Sequence, residues 1–343
     1  MKKLNAAVIG CGSWGRNHAR VYSELPNVTL ATVCDMNPST AKEIGSKYGV
    51  PFHTDPYKII DDSDVDVINI CTPTVTHAEL ALAAIKNGKH VLVEKPMTNT
   101  LEEAITLIKA ATTKKIQLTV GFVERFNPAV QEAYNIINRK EVGEVILAHT
   151  RRVSRRPLRI GDVGVIKDLA IHDIDIVNHL FMDDPITVSA YAGNIAHVFE
   201  DYANIIISYP GNRSAFVETN WLTPRRVRTC TITCTEGIVN VDYANQEVNI
   251  ENNDQITQPF LVNKEPLYQE LKSFTEAIQN GTTPVVTSID GLKALQICIA
   301  AIESSVNGQM VKMKPVKDLL PSKAFEFKSN GQTLNGKAVK QIT

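Results

Sequence analysis

Short apolar runs rich in β-branched residues alternate with helix-length amphipathic segments from residue 4 onward, the pattern of βαβ units around a parallel sheet. Strands are predicted at residues 4–9, 28–34, 65–71, 90–93 and 116–120, with helices of about three turns between most of them. The stretch from Pro51 to Pro56 is too short and proline-rich for a full helix, which leaves that part of the topology open. After Gly121 the rhythm changes. The pattern predicts a helix over 128–138, a strand over 144–152, an irregular arginine-rich loop and a helix over 165–181. Strand-like runs follow at 186–192, 203–209, 214–221, 229–235 and 238–243. Turns such as Pro210-Gly211-Asn212 and Glu236-Gly237 are too short for crossover helices, so these strands should be mainly antiparallel. Helices over 266–279 and 289–306 close the core, and the polar tail beyond 315 reads as an extra strand or a loosely packed end.

At 343 residues the chain exceeds what one hydrophobic core usually serves. The expected fold is α/β, with an N-terminal Rossmann parallel sheet over residues 1–122 and a C-terminal α/β domain over 123–343 on an open, mainly antiparallel sheet. An apolar fraction of 43% and a charged fraction of 21% belong to an ordinary globular protein and exclude wholesale disorder. A net charge of -1 provides no global attraction to nucleic acid or an anionic membrane. No apolar run approaches the roughly 20 residues of a membrane span, and the start lacks a signal-peptide core, so a cytoplasmic protein is expected. The six cysteines are scattered without metal-binding spacing and read as reduced, buried thiols. Cys230 and Cys234 can share one face of a strand, but two thiols alone make a poor metal site.

The first strand runs into Gly10-Cys11-Gly12-Ser13-Trp14-Gly15 and then a helix. In that setting Gly10 makes the turn, Gly12 admits a pyrophosphate and Gly15 lets helix and strand pack closely, with the helix amino terminus facing the phosphates. Asp35 stands twenty residues after Gly15 at the end of the second strand, where its carboxylate can accept hydrogen bonds from ribose hydroxyls. A carboxylate there repels a 2′-phosphate, which favours NAD over NADP.

Lys95 falls just past the carboxyl end of a strand, the edge at which doubly wound sheets bind ligands. An ammonium there stabilises developing alkoxide charge on a reacting hydroxyl. Asp168, His172, Asp175 and His179 line one stripe of the predicted helix, opposite Ala170, Ile174, Val177 and Phe181. By spacing alone this is a solvated face backed by a core face. A shared metal is disfavoured, since Asp168 and His179 lie about 16 Å apart along a helix. Arg151, Arg152, Arg155, Arg156 and Arg159 form the densest basic run, readable as a solvated edge or as anchors for a diphosphate. It lacks the interleaved aromatics of a nucleic-acid site. Arg125 and Asn127, at the junction after a strand end, are placed to touch nicotinamide or sugar. His18 reads as a packing or local hydrogen-bonding residue, and Trp221 as packing at a strand end.

The segment Cys71-Thr72-Pro73-Thr74 with His77, then Glu94-Lys95-Pro96 and Asp168-Leu169-Ala170-Ile171-His172, resembles the GFO/IDH/MocA family of oxidoreductases, across most of residues 1–315. The resemblance implies a Rossmann domain joined to an open-sheet α/β domain, and NAD held by Gly10, Gly12, Ser13, Trp14, Gly15, Asp35, Thr72, Pro73, His77, Glu94 and Lys95. It further implies that His172 takes the hydroxyl proton, that Asp168 orients His172 or stabilises its charged form, and that Lys95 steadies the alkoxide. Imidazole suits the task because its unperturbed pKa is about 6.5. Within the family, residues 123–128 and 162–175 look most like UDP-N-acetylglucosamine 3-dehydrogenases. That implies a nucleotide-sugar substrate oxidised at C3, touched by Arg125, Asn127, Arg155, Arg156 and His172, with an aminotransferase as pathway partner. Oxidation of an inositol or free sugar is the nearest alternative, and a noncatalytic nucleotide sensor is one of another class. The open sheet face suggests a homodimer or homotetramer.

Overall fold

A computed structural model describes residues 3–155, 162–320 and 324. The first half comprises β1 (Leu4–Ile9), α1 (Gly15–Glu24), β2 (Val28–Cys34), α2 (Pro38–Tyr48), β3 (Phe52–His53), α3 (Tyr57–Ile60), β4 (Val67–Ile70), α4 (His77–Lys86), β5 (His90–Glu94), α5 (Leu101–Lys114) and β6 (Leu118–Gly121). Its strands form one parallel sheet in the order β3-β2-β1-β4-β5-β6. Helices cover both faces, so the central strands β1, β4 and β5 are almost entirely buried and read in sequence as unbroken apolar runs. Local signals start several helices. Asn37 accepts hydrogen bonds from the Ser39 and Thr40 N–H groups ahead of Pro38, and Thr100 with Glu103 forms a reciprocal capping box. The proline-bounded stretch left open by sequence is the two-residue β3 on the sheet edge, followed by the single turn α3.

The second half comprises α6 (Pro128–Asn138), β7 (Val145–Arg155), a π-helical turn (Ile166–Ala170) running into α7 (Ile171–Phe181), β8 (Thr187–Gly193), β9 (Tyr202–Tyr209), β10 (Arg213–Asn220), β11 (Leu222–Cys234), β12 (Ile238–Asp242), β13 (Glu247–Glu251), β14 (Ile256–Thr257), α8 (Pro266–Asn280), α9 (Ser288–Asn307) and β15 (Val311–Lys312). The sheet order is β14-β13-β12-β11-β7-β10-β9-β8-β15. Every pair is antiparallel except β7 with β10. Sequence missed β13, β14 and β15, which are short, polar and near the sheet edges. The predicted tail beyond 315 begins as a 3-10 turn (Val316–Asp318), and residues 321–323 and 325–343 lie outside the described ones.

One face of this sheet is covered by α7 and α9, giving strict alternation: Ile205 and Ile207 are buried while Ile206 faces outward. The helix α8 belongs to the second half in sequence but not in packing. Its Leu267, Leu271 and Phe274 join the cluster of Val8, Val21 and Tyr22 in the first half. Among the described residues no helix is long and apolar enough to cross a membrane.

Candidate active site

The strand order reverses between β1 and β4, which opens a crevice at the carboxyl ends of the strands. The glycine turn sits there. Gly10 has φ +90°, and a Cβ on it would lie 2.7 Å from the Cys71 backbone; one on Gly15 would lie 1.7 Å from the Gly10 carbonyl oxygen. A Cβ on Gly12 would meet nothing within 4 Å. Two glycines therefore close the turn, and the third faces the open space a pyrophosphate needs. Ser13 and Trp14 are exposed beside it. Asp35 is half-buried at the end of β2, its Oδ2 accepting from the Cys11 N–H at 2.8 Å and its Oδ1 from the Asn37 N–H at 2.9 Å. The residues fit a dinucleotide with free ribose hydroxyls.

Lys95 follows β5 into this crevice, and the Lys95-Pro96 peptide is cis. Its Nζ donates to the Asp168 carbonyl at 2.8 Å and to Asp168 Oδ1 at 2.7 Å, with Asp168 Oδ2 buried and lacking a hydrogen-bond partner among the described residues. Asp168, expected to orient His172 or stabilise its charged form, holds the ammonium, because the π-helical turn carries both its carbonyl and its side chain onto Lys95. His172 stands half-buried in the first turn of α7, edge-on to Phe122 just past β6 at a ring distance of 6.5 Å. Asp162 accepts from the Thr74 N–H at 2.7 Å, tying the segment before the π-helical turn to the end of β4. Glu200, pressed against Gly164, accepts from the Ile166 N–H at 3.2 Å and so caps the start of that turn.

Several residues assigned to cofactor by sequence lie beneath the crevice. His77 is buried, with Nδ1 2.9 Å from the Pro96 carbonyl and Nε2 2.9 Å from the Thr72 carbonyl. Burial lowers its pKa despite those two contacts. Glu94 is buried against His18, Nε2 to Oε1 at 3.0 Å. Both braces replace the expected cofactor contacts with contacts to protein. Thr72 is half-buried and Pro73 exposed at the end of β4.

The proposed substrate residues divide. Arg125 is buried and bidentate to Asp175, at 2.6 and 2.8 Å, with Asp290 at 3.6 Å. Asn127 caps α6 through the Ala129 N–H and donates to Glu124 and the Tyr243 carbonyl. The structure therefore spends both on its own scaffold, because each lies in a fully packed junction. In the arginine run, Arg152 points inward to Asp173 and Glu124, while Arg151 points outward to Glu218. Arg155 is exposed at the end of β7; Arg156 and Arg159 lie outside the described residues. Sequence missed the matching run Arg225-Arg226-Val227-Arg228 on β11, whose signal was visible in composition. Pairing of Leu222 with Arg155 and Arg228 with Arg152 brings it beside β7. Burial and then Arg152 bring the Arg228 guanidinium down to about 10.

The stripe expected to be solvated turns largely inward: Asp168 and Asp175 are buried against Lys95 and Arg125, His172 is half-buried, and His179 stacks on Tyr134 at 4.2 Å, where burial lowers its pKa to about 3. Asp173 beside them is buried against Arg152. Among the described residues no group of three or more His, Cys, Asp or Glu is placed to hold a metal.

Comparison with known proteins follows this geometry. Residues 4–122 match the model described as an oxidoreductase family with an NAD-binding Rossmann fold, and residues 130–240 match the GFO/IDH/MocA C-terminal domain. The scyllo-inositol 2-dehydrogenase (NAD(+)) of Bacillus subtilis is 30% identical over 91% of this chain and 96% of its own length. The inositol 2-dehydrogenase of Rhizobium meliloti is 27% identical over 89% and 98%. A solved UDP-N-acetylglucosamine 3-dehydrogenase from Acidithiobacillus ferrooxidans is 26% identical, with a TM-score of 0.83, over 90% of this chain and 100% of that one.

Proposed function

The chain belongs to the GFO/IDH/MocA oxidoreductase family, and from that premise we propose that it oxidises a secondary ring hydroxyl of an uncharged cyclic polyol or sugar, inositol being the type its curated relatives suggest. The observation that carries this reading is Lys95 at the crevice, fixed by two hydrogen bonds to Asp168 one turn before His172. Bound NAD supplies the hydride acceptor. Lys95 donates a hydrogen bond to the reacting oxygen and stabilises its negative charge as the C–H bond breaks. Asp168 keeps the ammonium aimed, and His172 takes the hydroxyl proton.

Purified protein with NAD should form NADH from myo- or scyllo-inositol, read by absorbance. Lys95→Met should lower turnover roughly 100-fold or more while NADH binding survives. No NADH from any inositol or free sugar would sink this reading.

The arginines support a second. Arg155 at the end of β7 and Arg225 and Arg226 on the neighbouring β11 are exposed, a cation set suited to a diphosphate, which an uncharged polyol does not need, whereas Arg228 is ion-paired to Glu124. On this reading the substrate is UDP-N-acetylglucosamine, oxidised at C3. It requires NADH formation with that nucleotide sugar in preference to inositol, and a KM for it that rises roughly tenfold in Arg225→Ala/Arg226→Ala.

A further inference from the structure

We propose that His18 is a positioning residue for Lys95, acting through Glu94; this rests on the reading of Lys95 given above. The two residues come from distant parts of the first domain. His18 lies on α1 and is 0% exposed, and Glu94 ends β5 immediately before Lys95. A single hydrogen-bond chain joins them to the sheet centre. Tyr22 Oη donates to Asn69 Oδ1 at 2.7 Å, the Asn69 amide nitrogen faces His18 Nδ1 at 2.8 Å, and His18 Nε2 meets Glu94 Oε1 at 3.0 Å. The other carboxylate oxygen of Glu94 accepts from the Lys95 backbone N–H at 3.2 Å.

The chemistry of the partners orients every member. With its oxygen taken by Tyr22, Asn69 presents only donors to His18, so His18 Nδ1 carries a lone pair and Nε2 carries the proton that goes to Glu94. Glu94 lies in a slot that exists because residue 121 is glycine: a Cβ there would come within 2.8 Å of Glu94 Oε1. Satisfied buried networks of this kind hold one geometry. Lys95 is thereby fixed at both ends, its backbone by the Glu94 chain and its ammonium by Asp168. Rate in such a site depends on sub-ångström placement of the charge, so loosening the backbone end should act on turnover rather than on cofactor affinity.

The test compares His18→Leu, His18→Gln, Tyr22→Phe and Lys95→Met with the fastest alcohol of the panel above, reading kcat, KM for NAD and melting temperature. His18→Leu should lower kcat roughly tenfold or more with the KM for NAD within about twofold of wild type. His18→Gln, which keeps a donor for Glu94, should recover much of the loss. Tyr22→Phe should lower kcat by a smaller factor, with a modest drop in melting temperature from the stranded Asn69 oxygen, and it carries the test if His18→Leu does not fold. In the cofactor-free protein labelled with 15N-histidine, His18 should show the Nε2–H tautomer. Wild-type kcat in both His18→Leu and Tyr22→Phe, or the Nδ1–H tautomer, overturns the proposal. An inactive Lys95→Met beside a fully active His18→Leu rejects the positioning role alone, whereas an active Lys95→Met rejects the reading on which it rests.

Discussion

Glu124 and Glu270 are both buried glutamates, and their neighbours push them in opposite directions. Burial alone would raise Glu124, but Arg152 and Arg228 hold it below the ordinary glutamate value. Glu270 on α8 has no hydrogen-bond partner among the described residues for either oxygen, and burial, then the charges of Glu94 and Asp175, push its pKa well up. A carboxyl whose folded-state pKa exceeds its unfolded one binds more protons when folded. Stability therefore falls as pH rises above the ordinary glutamate value and through the raised one. Glu270→Gln should remove that slope and be more stable than wild type at pH about 8, with the gain shrinking toward pH about 5. Melting temperatures across that range decide it; a variant less stable at the alkaline end would refute the account. This feature leaves no mark in the sequence, where Glu270 is one polar residue in an ordinary amphipathic helix.

At the scale of elements, α7 and its π-helical turn show how a stripe of charge becomes interior. Residues 168–179 give the periodicity of a solvated face, and periodicity cannot report whether another element supplies counter-charges. Arg152 from β7 and Arg125 from the turn after β6 do so, at 2.8 Å to Asp173 and 2.6 Å to Asp175. Removing one partner from such a pair strands the other. Arg152→Met should cost about 3–5 kcal/mol in denaturant unfolding, because Asp173 and Glu124 then stay buried without it. A loss below about 1 kcal/mol would mean that the pair contributes nothing beyond an exposed one. Helix starts were easier to read, since Asn37, Thr100 and Asn127 act on their own next few residues.

Over the whole molecule, the open face of the nine-stranded sheet leaves Leu147, Tyr191 and Ile206 outward, with Ile206 50% and Tyr191 70% exposed. A second copy of the chain is the expected cover, since symmetric pairing is the commonest way to bury such a face. Light scattering should give at least twice the chain mass, and Ile206→Lys should lower it; a monomeric wild type excludes this. The sequence by itself determined the Rossmann half, its glycine turn, Asp35 and the position of Lys95 at a strand end. Those features depend on alternation, capping and steric rules that act within a few residues. Only the tertiary structure decided that Asp168 serves Lys95, that Arg125 and Asn127 belong to the scaffold, that α8 returns to the first sheet, and that two arginine runs meet. The first two depend on which distant charges share a low-dielectric interior, the third on which apolar faces meet and the fourth on strand pairing, and no local pattern encodes any of these.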